Sequence, residues 1–108
     1  MLSPLLLVDS YKVSHYRQYP PGTESVYSYF ESRGGQFAES VFFGLQSYLR
    51  RYLAGPVVTE ADIDAADALY RQHFGQPLFN RDGWRHILAA HGGRLPVRIR
   101  AVPEGTVV

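Results

Sequence analysis

The chain contains no cysteine and no long apolar run. Without cysteine, its 108 residues form neither a disulfide framework nor a thiolate metal site. The longest apolar run near the start, Leu5 to Val8, is far shorter than the roughly 20 residues that cross a membrane. The start also lacks the basic region and long apolar region of a signal peptide. These absences predict a soluble, cytoplasmic protein with no membrane partner.

An excess of basic charge is also absent. Eleven basic and ten acidic residues leave a net charge of +1, and Lys12 is the only lysine. Proteins that bind nucleic acids usually carry a clustered basic surface. Here only local pairs occur, at Arg50-Arg51 and at Arg98 and Arg100. We therefore expect no nucleic-acid partner.

Recognisable catalytic and phosphate-binding motifs are missing as well. The chain has no GxGxxG or Walker-A loop and no HExxH pair. Asp9, Ser10 and His15 are close in sequence, but positions 9 and 15 do not face each other on a helix, which disfavours a hydrolase triad. The four histidines lack the spacing of shared metal ligands. These patterns predict neither a catalytic residue nor a metal site in this chain.

What the chain does have is a polar, aromatic stretch from Asp9 to Pro21. It places three tyrosines, a histidine, the lysine and an acid in one short segment. Asp9 or Ser10 is a plausible N-cap for a helix to about Gln18, which Pro20-Pro21-Gly22 would end. Hydroxyls, charges and rings together are typical of a surface that holds a ligand or a partner.

Alternation of apolar and polar residues predicts strands in the remaining non-helical parts. Residues 25–33 alternate and are followed by a flexible Gly34-Gly35-Gln36 loop that could act as a flap. Residues 97–102 alternate again, Pro103-Glu104-Gly105 indicates a turn, and Thr106 to Val108 resembles the start of another strand.

Three longer helices are predicted between these strands. Residues 40–54 carry an apolar stripe and stop at Gly55-Pro56. A capping box at Thr59 to Asp62 opens the next helix, which Gly75 ends. Asn80 caps the third, which ends at Gly92-Gly93. The stripes, and Trp84, are interpreted as core.

Segregated helices and strands predict an α+β fold with a small mixed sheet and three main helices. The length fits one domain over residues 1–108. Because the chain stops in what looks like a new strand, we expect this domain to be incomplete, the N-terminal part of a larger two-domain protein.

Several ordered motifs carry a family resemblance. They closely resemble the N-terminal sequence of nicotinamide phosphoribosyltransferases and span essentially the whole chain. The matching residues are Asp9 to Lys12, His15-Tyr16, Gln18 to Pro21, Val26 to Arg33, Val41 to Gln46, Phe79-Asn80, Gly83-Trp84, Leu95-Pro96 and Ala101 to Gly105.

The resemblance implies a pentosyltransferase that makes nicotinamide mononucleotide and pyrophosphate from nicotinamide and phosphoribosyl pyrophosphate in NAD salvage. It implies magnesium (Mg²⁺) as the cofactor of the full-length enzyme, bound outside this chain. It also implies a homodimer with active sites at the subunit interface, and an α/β barrel domain that binds the phosphates. The barrel is absent here, so we expect the 108-residue chain alone to be inactive.

Three substrate-binding residues follow from the resemblance. Tyr11 is the ring that stacks on nicotinamide, Asp9 orients the carboxamide or a nearby basic group, and Arg33 approaches the pyrophosphate from the flap. The Gly34 to Glu39 loop is shorter than in animal members and lacks their lysines.

Two alternatives remain open at this point. One is a transferase for nicotinate, although an acid such as Asp9 near the ring would repel the carboxylate of that substrate. The other is a non-catalytic dimerisation or binding module, which the tyrosine-rich surface allows.

Overall fold

The longest helix forms where the predicted capping box lies. In a computed structural model, which describes residues 3–108, α2 runs over Glu60–Phe74. The Thr59 hydroxyl accepts a hydrogen bond from the Asp62 N–H at 3.2 Å, and the Asp62 carboxylate accepts one from the Thr59 N–H at 2.9 Å. Gly75 ends the helix with a left-handed φ of 70°, which glycine adopts without strain. Both predicted ends are confirmed.

The next helix, α3, spans Arg81–His91 and is also capped as expected. The Asn80 side-chain oxygen accepts a hydrogen bond from the Gly83 N–H at 3.0 Å, which satisfies an otherwise unpaired donor. Gly92 ends α3 at a φ of 60°.

The hydrophobic core lies between these two helices and the start of the chain. Tyr70 of α2 stacks on Phe74 and Phe79, with ring centroids 5.9 and 5.6 Å apart. Buried apolar residues are Leu5, Val58, Ile63, Ala66, Tyr70 and Phe79, and half-buried ones packed against them are Leu6, Val13, Phe74, Trp84, Ile87 and Leu88. The apolar stripes of α2 and α3 and Trp84 are therefore core, as predicted. None of these core residues comes from the stripe predicted over residues 40–54, where Val41 and Tyr48 are exposed.

A buried carboxylate joins α2 to α3. The Asp67 carboxylate accepts hydrogen bonds from Arg71 Nε at 2.9 Å and from Arg81 Nη1 at 3.1 Å. These bonds, the one from Arg71 first, lower the pKa of Asp67 even though burial opposes the shift. Two more exposed ion pairs, Asp64–Arg81 and Glu60–Arg85, also join α2 to α3.

The predicted helix over residues 40–54 begins later and ends in a different geometry. Helix α1 covers Leu45–Tyr48 and passes into a π-helical turn, Leu49–Leu53. Residues 40–42 instead pair antiparallel with residues 106–108, and Ser40 and Val108 exchange two 2.8 Å backbone hydrogen bonds. The backbone of Ser40 is thus committed to pairing and cannot start a helix.

Glu104 caps α1 from 60 residues away in sequence. Its carboxylate accepts hydrogen bonds from the N–H groups of Gly44 at 2.6 Å and Gln46 at 2.9 Å. These bonds, the one from Gln46 first, lower the pKa of Glu104. The Thr106 N–H bonds the Pro103 carbonyl at 3.1 Å, which confirms the predicted turn.

The α+β prediction, with its small mixed sheet, is wrong. Residues 3–108 form four helices (α1, the π-helical turn, α2 and α3) and three short 3₁₀ turns, with no strand or sheet. Only two isolated bridges occur, Val41–Val107 and Pro56–Arg94. Neither alternating segment finds a neighbour, and residues 24–39 make no backbone hydrogen bond to residues 3–108. Strand preference reflects packing against a neighbouring strand or core, so alternation alone produced no strand.

The unpaired segments extend the molecule. The Cα radius of gyration is 16.1 Å, against about 13 Å for a compact chain of this length. Residues 21–40 are exposed throughout, and Phe30 is 99% accessible to solvent. Within residues 3–108, no helix is both long enough and apolar enough to span a membrane.

Candidate functional site

The polar aromatic stretch forms short turns rather than the predicted helix to Gln18. The 3₁₀ turns are Ser10–Lys12 and His15–Gln18, separated by Val13 and Ser14. The Asp9 side chain makes no capping hydrogen bond and instead pairs with Lys12, 3.7 Å away. Because Ser14 has φ near −94° and ψ near 1°, the chain leaves helical geometry between the turns.

Tyr11 projects from the first turn into solvent, with 63% of its surface accessible. The Lys12 ammonium lies 5.7 Å from its ring centroid, within cation–π range. The His15 ring meets it edge to face at a centroid distance of 5.7 Å. Tyr11 is thus an aromatic ring that contacts Lys12 and His15 and keeps most of its surface open to solvent.

Asp9 is linked to this ring by Lys12, which contacts both. Its side chain is 66% exposed, and its carboxylate forms the 3.7 Å ion pair with Lys12. An exposed pair at this distance contributes little to stability, about 0–1 kcal/mol. Asp9, Lys12 and Tyr11 therefore form one cluster in which an acid, a base and a ring are all accessible to a small molecule.

Arg33 lies apart from this cluster. It belongs to the exposed residues 21–40 and makes no hydrogen bond, ion pair or cation–π contact with any described residue. The structure therefore brings Asp9 and Tyr11 together but leaves Arg33 out. Its assignment to the pyrophosphate stays a prediction.

The segment that carries Tyr11 is fixed to the helical core at both ends. Leu5 is buried, and its carbonyl oxygen accepts a 2.9 Å hydrogen bond from the Tyr70 hydroxyl. At the other end, Arg17 Nη2 donates to the Pro77 carbonyl oxygen at 2.9 Å. Between these two anchors, Val13 packs against the core.

Two shallow concavities flank the segment. One, of about 250 Å³, lies between Lys12, Tyr16, Asn80 and Trp84. The other, of about 420 Å³, follows Tyr16, Tyr19 and the residues 20–26. Tyr16 lines both, so this segment provides walls for ligand-sized spaces on two sides.

A magnesium ion has no donor set in this part of the protein. Residues 3–108 contain no group of three or more acids or histidines arranged to hold a metal ion. The residues described here therefore do not fit the magnesium that the resemblance implies for the full-length enzyme.

Lys12 and His15 belong to the predicted ligand-holding stretch, but the sequence assigned no individual role to them or to Arg17. Lys12 and His15 follow Tyr11 at spacings of one and four, and the second of these places side chains together on a helical turn. That spacing was the available signal. Arg17 reaches Pro77, 60 residues further along, and no local pattern indicates such a pair.

Fold and site together define a small helical domain that displays an accessible aromatic cluster on an anchored N-terminal segment. A family model described as nicotinamide phosphoribosyltransferase, N-terminal domain, matches residues 3–99. The chain belongs to this family, and the resemblance predicted from its motifs is confirmed.

Two curated relatives carry the same description. A nicotinamide phosphoribosyltransferase of Xanthomonas campestris pv. campestris (strain 8004) is 58% identical over 104 residues, which are 96% of this chain and 22% of the relative. One of Acinetobacter baylyi (strain ATCC 33305 / BD413 / ADP1) is 35% identical over 121 aligned residues, 99% of this chain and 24% of the relative. The chain thus spans less than a quarter of the length of either relative.

Proposed function

We propose that this chain acts as the N-terminal domain of a longer nicotinamide phosphoribosyltransferase. That enzyme forms nicotinamide mononucleotide and pyrophosphate from nicotinamide and phosphoribosyl pyrophosphate. The observation that carries the proposal is the family match over residues 3–99, which includes the whole Tyr11 segment. The two relatives bear this activity in their names.

The proposed chemistry is a substitution at the anomeric carbon of the ribose. The ring nitrogen of nicotinamide supplies the electron pair for the new C–N bond, and the C–O bond to pyrophosphate breaks with its electrons. No proton is transferred, and the pyridine ring becomes cationic. Positioning of the two reactants and stabilisation of charge therefore dominate the rate.

In this proposal Tyr11 provides the stacking surface for nicotinamide. Its accessible ring suits a flat heteroaromatic partner, since offset stacking contributes about 0.5–1.5 kcal/mol beyond buried area. Asp9 accepts a hydrogen bond from the carboxamide or pairs with a neighbouring base. Arg33, without an anionic partner among the described residues, approaches the pyrophosphate.

Nicotinamide is the proposed acceptor rather than nicotinate. The relatives are named for nicotinamide, and the exposed Asp9 carboxylate lies close to Tyr11. A second carboxylate stacked on Tyr11 would meet this negative charge. Competition between the two substrates in the complete enzyme checks the choice, and preferential use of nicotinate contradicts it.

The remaining partner assignments are part of the same proposal. The complete enzyme is a cytoplasmic homodimer in which Tyr11 reaches a site shared between subunits, and the isolated 108-residue chain forms no mononucleotide. Measurable product from the isolated chain contradicts the assignment of an incomplete site to it.

Replacement of Tyr11 tests the proposed site. In the complete enzyme, Tyr11→Ala removes the stacking surface, and we expect the KM for nicotinamide to rise more than about tenfold, equivalent to about 1.4 kcal/mol. Tyr11→Phe, which keeps the ring, serves as the matched control and should stay close to the wild type. An unchanged KM in the alanine variant removes Tyr11 from the site.

A further inference from the structure

We propose that Arg17 is a positioning residue for Tyr11. Its guanidinium fixes the far end of the N-terminal segment to the loop between α2 and α3, and thereby sets where the Tyr11 ring lies. This inference rests on the proposed function, because it assigns Arg17 to the nicotinamide half of that site. It adds a residue that does not itself contact substrate.

The two ends of the segment are held in different ways. At Leu5, apolar burial and the buried 2.9 Å hydrogen bond from Tyr70 fix the chain firmly. Beyond Val13, which packs against the core, the side-chain hydrogen bonds of the segment lie at the surface. Arg17 donates from Nη2 to the Pro77 carbonyl at 2.9 Å, which ties the segment to the loop between α2 and α3, and from Nε to the hydroxyl of its own neighbour Tyr16 at 3.1 Å, which orients the guanidinium. Loss of Arg17 therefore removes the hydrogen bond that holds the residues after Val13 to the α2–α3 loop and leaves the attachment at Leu5 in place.

The turn that carries Tyr11 has little stability of its own. It is three residues long, closed by the Lys12 N–H to the Asp9 carbonyl at 2.9 Å and the Val13 N–H to the Ser10 carbonyl at 3.1 Å. A single 3₁₀ turn fixes several dihedral angles for few hydrogen bonds and is marginal in isolation. Its geometry depends on the contacts at either side, namely Val13 in the core and Arg17 beyond it.

The partners of Arg17 indicate a role in geometry rather than in charge. Among residues 3–108 it forms no ion pair with an acid, and both of its hydrogen-bond acceptors are neutral. The Tyr16 ring lies 5.6 Å from its guanidinium carbon. The Pro77 carbonyl is a suitable anchor because the proline ring restricts the backbone at that position. A planar group with several donors can satisfy both acceptors at once.

The first measurement compares steady-state constants in the complete enzyme for Arg17→Ala and Arg17→Lys. Misplacement of a stacking ring weakens capture of nicotinamide, so we expect Arg17→Ala to raise its KM about three- to tenfold. The KM for phosphoribosyl pyrophosphate and kcat should change less than about twofold. Arg17→Lys keeps a donor for the Pro77 carbonyl and should show most of the wild-type affinity, with a KM for nicotinamide close to that of the wild type.

The second measurement is hydrogen exchange in the 108-residue chain itself, which needs no activity. The amides of Lys12 and Val13 should exchange faster in Arg17→Ala than in the wild type, because the turn opens more often. Arg50→Ala is the matched control, since Arg50 is an exposed arginine on the π-helical turn and has no side-chain hydrogen bond or ion pair to residues 3–108. It should change neither the exchange nor the KM.

The two measurements separate the possible failures. If the wild-type complete enzyme forms no mononucleotide, the proposed function is wrong, whatever the exchange rates show. If it is active but Arg17→Ala leaves the nicotinamide KM unchanged, only the positioning role is wrong. If Arg17→Ala raises the KM for both substrates equally and Arg17→Lys does not reverse the increase, the enzyme is generally destabilised, and this result also overturns the proposal.

Discussion

Removal of the buried charge at Asp67 should destabilise the domain far more than removal of the neighbouring exposed charge at Asp64. Both carboxylates pair with Arg81. The Asp67 side chain is only 10% exposed and accepts bonds from two arginines, whereas the Asp64 side chain is 55% exposed. Asp67→Asn and Asp64→Asn thus each remove one negative charge from the contact between α2 and α3. The first charge is buried and the second is exposed.

The expected magnitudes follow from burial. Hydrogen bonds to charged groups contribute about 1.5–3 kcal/mol, and Asp67→Asn weakens two of them while placing amide hydrogens near an arginine donor. Because Arg71 and Arg81 remain partly hydrated, we expect a loss of about 2 kcal/mol in the free energy of unfolding. Asp64→Asn should lose less than about 1 kcal/mol, as exposed ion pairs do.

Urea unfolding followed by circular dichroism measures both values, provided that the slope of free energy against urea stays constant. The dependence of the free energy of unfolding on pH in the acid range gives a second test. The folded pKa of Asp67 lies below its ordinary value of 3.8, so its stabilisation is complete above that value and is lost as the pH falls through the folded pKa. Asp67→Asn should flatten this acid dependence. Equal losses in the two variants refute the argument from burial.

Two further perturbations test other parts of the fold. Tyr70→Phe should cost about 1 kcal/mol through loss of the hydrogen bond to Leu5, measured by thermal unfolding. Burial raises the pKa of Tyr70 above 10.0, so wild-type stability should fall as the pH rises past that value, and a fall of the same size in Tyr70→Phe contradicts the assignment. Glu104→Gln should speed hydrogen exchange at Gly44 and Gln46, whose N–H groups donate to the Glu104 carboxylate. In the wild type, the protection of these two amides relative to their intrinsic exchange rate should be lost only below pH 4.5, as the pH falls through the lowered pKa of Glu104. Equal exchange rates in the two proteins at pH 7 contradict the cap.

The two long helices were predictable because their limits depend on local chemistry. At the start of each helix the side chain of the N-cap residue, Thr59 or Asn80, accepts a hydrogen bond from the backbone N–H three residues later. The glycines that end them adopt left-handed angles directly after the last turn. Such signals act within one turn of helix, so they can be read without knowing the rest of the fold.

The absence of a sheet in residues 3–108 was not predictable in the same way, because a strand forms only where it has a neighbour to pair with. The alternation in residues 25–33 says nothing about which backbone would pair with it, and all of these residues are exposed. Residues 40–42 show the converse case. Their partner is residues 106–108, and this distant pairing moved the start of α1 to Leu45.

In the candidate site, too, local sequence determines some features and distant contacts determine the others. Asp9 and Tyr11 lie together because they are two residues apart, so any local turn keeps them close. The anchors that fix their segment, Leu5 to Tyr70 and Arg17 to Pro77, join residues 65 and 60 positions apart. The position of Arg33 depends on contacts of the exposed segment 21–40, which nothing local determines.

These long-range anchors also impose an order of assembly during synthesis. The N-terminal segment is made first, but its partners Tyr70 and Pro77 follow 60 to 65 residues later. At about 5–20 residues per second, that delay amounts to roughly 3–13 s. Helices α2 and α3 lie close together in sequence and can pair as soon as both exist. The residues that carry the proposed nicotinamide contact are therefore translated well before the residues that anchor them and reach their final place only after α2 and the loop that follows it are made.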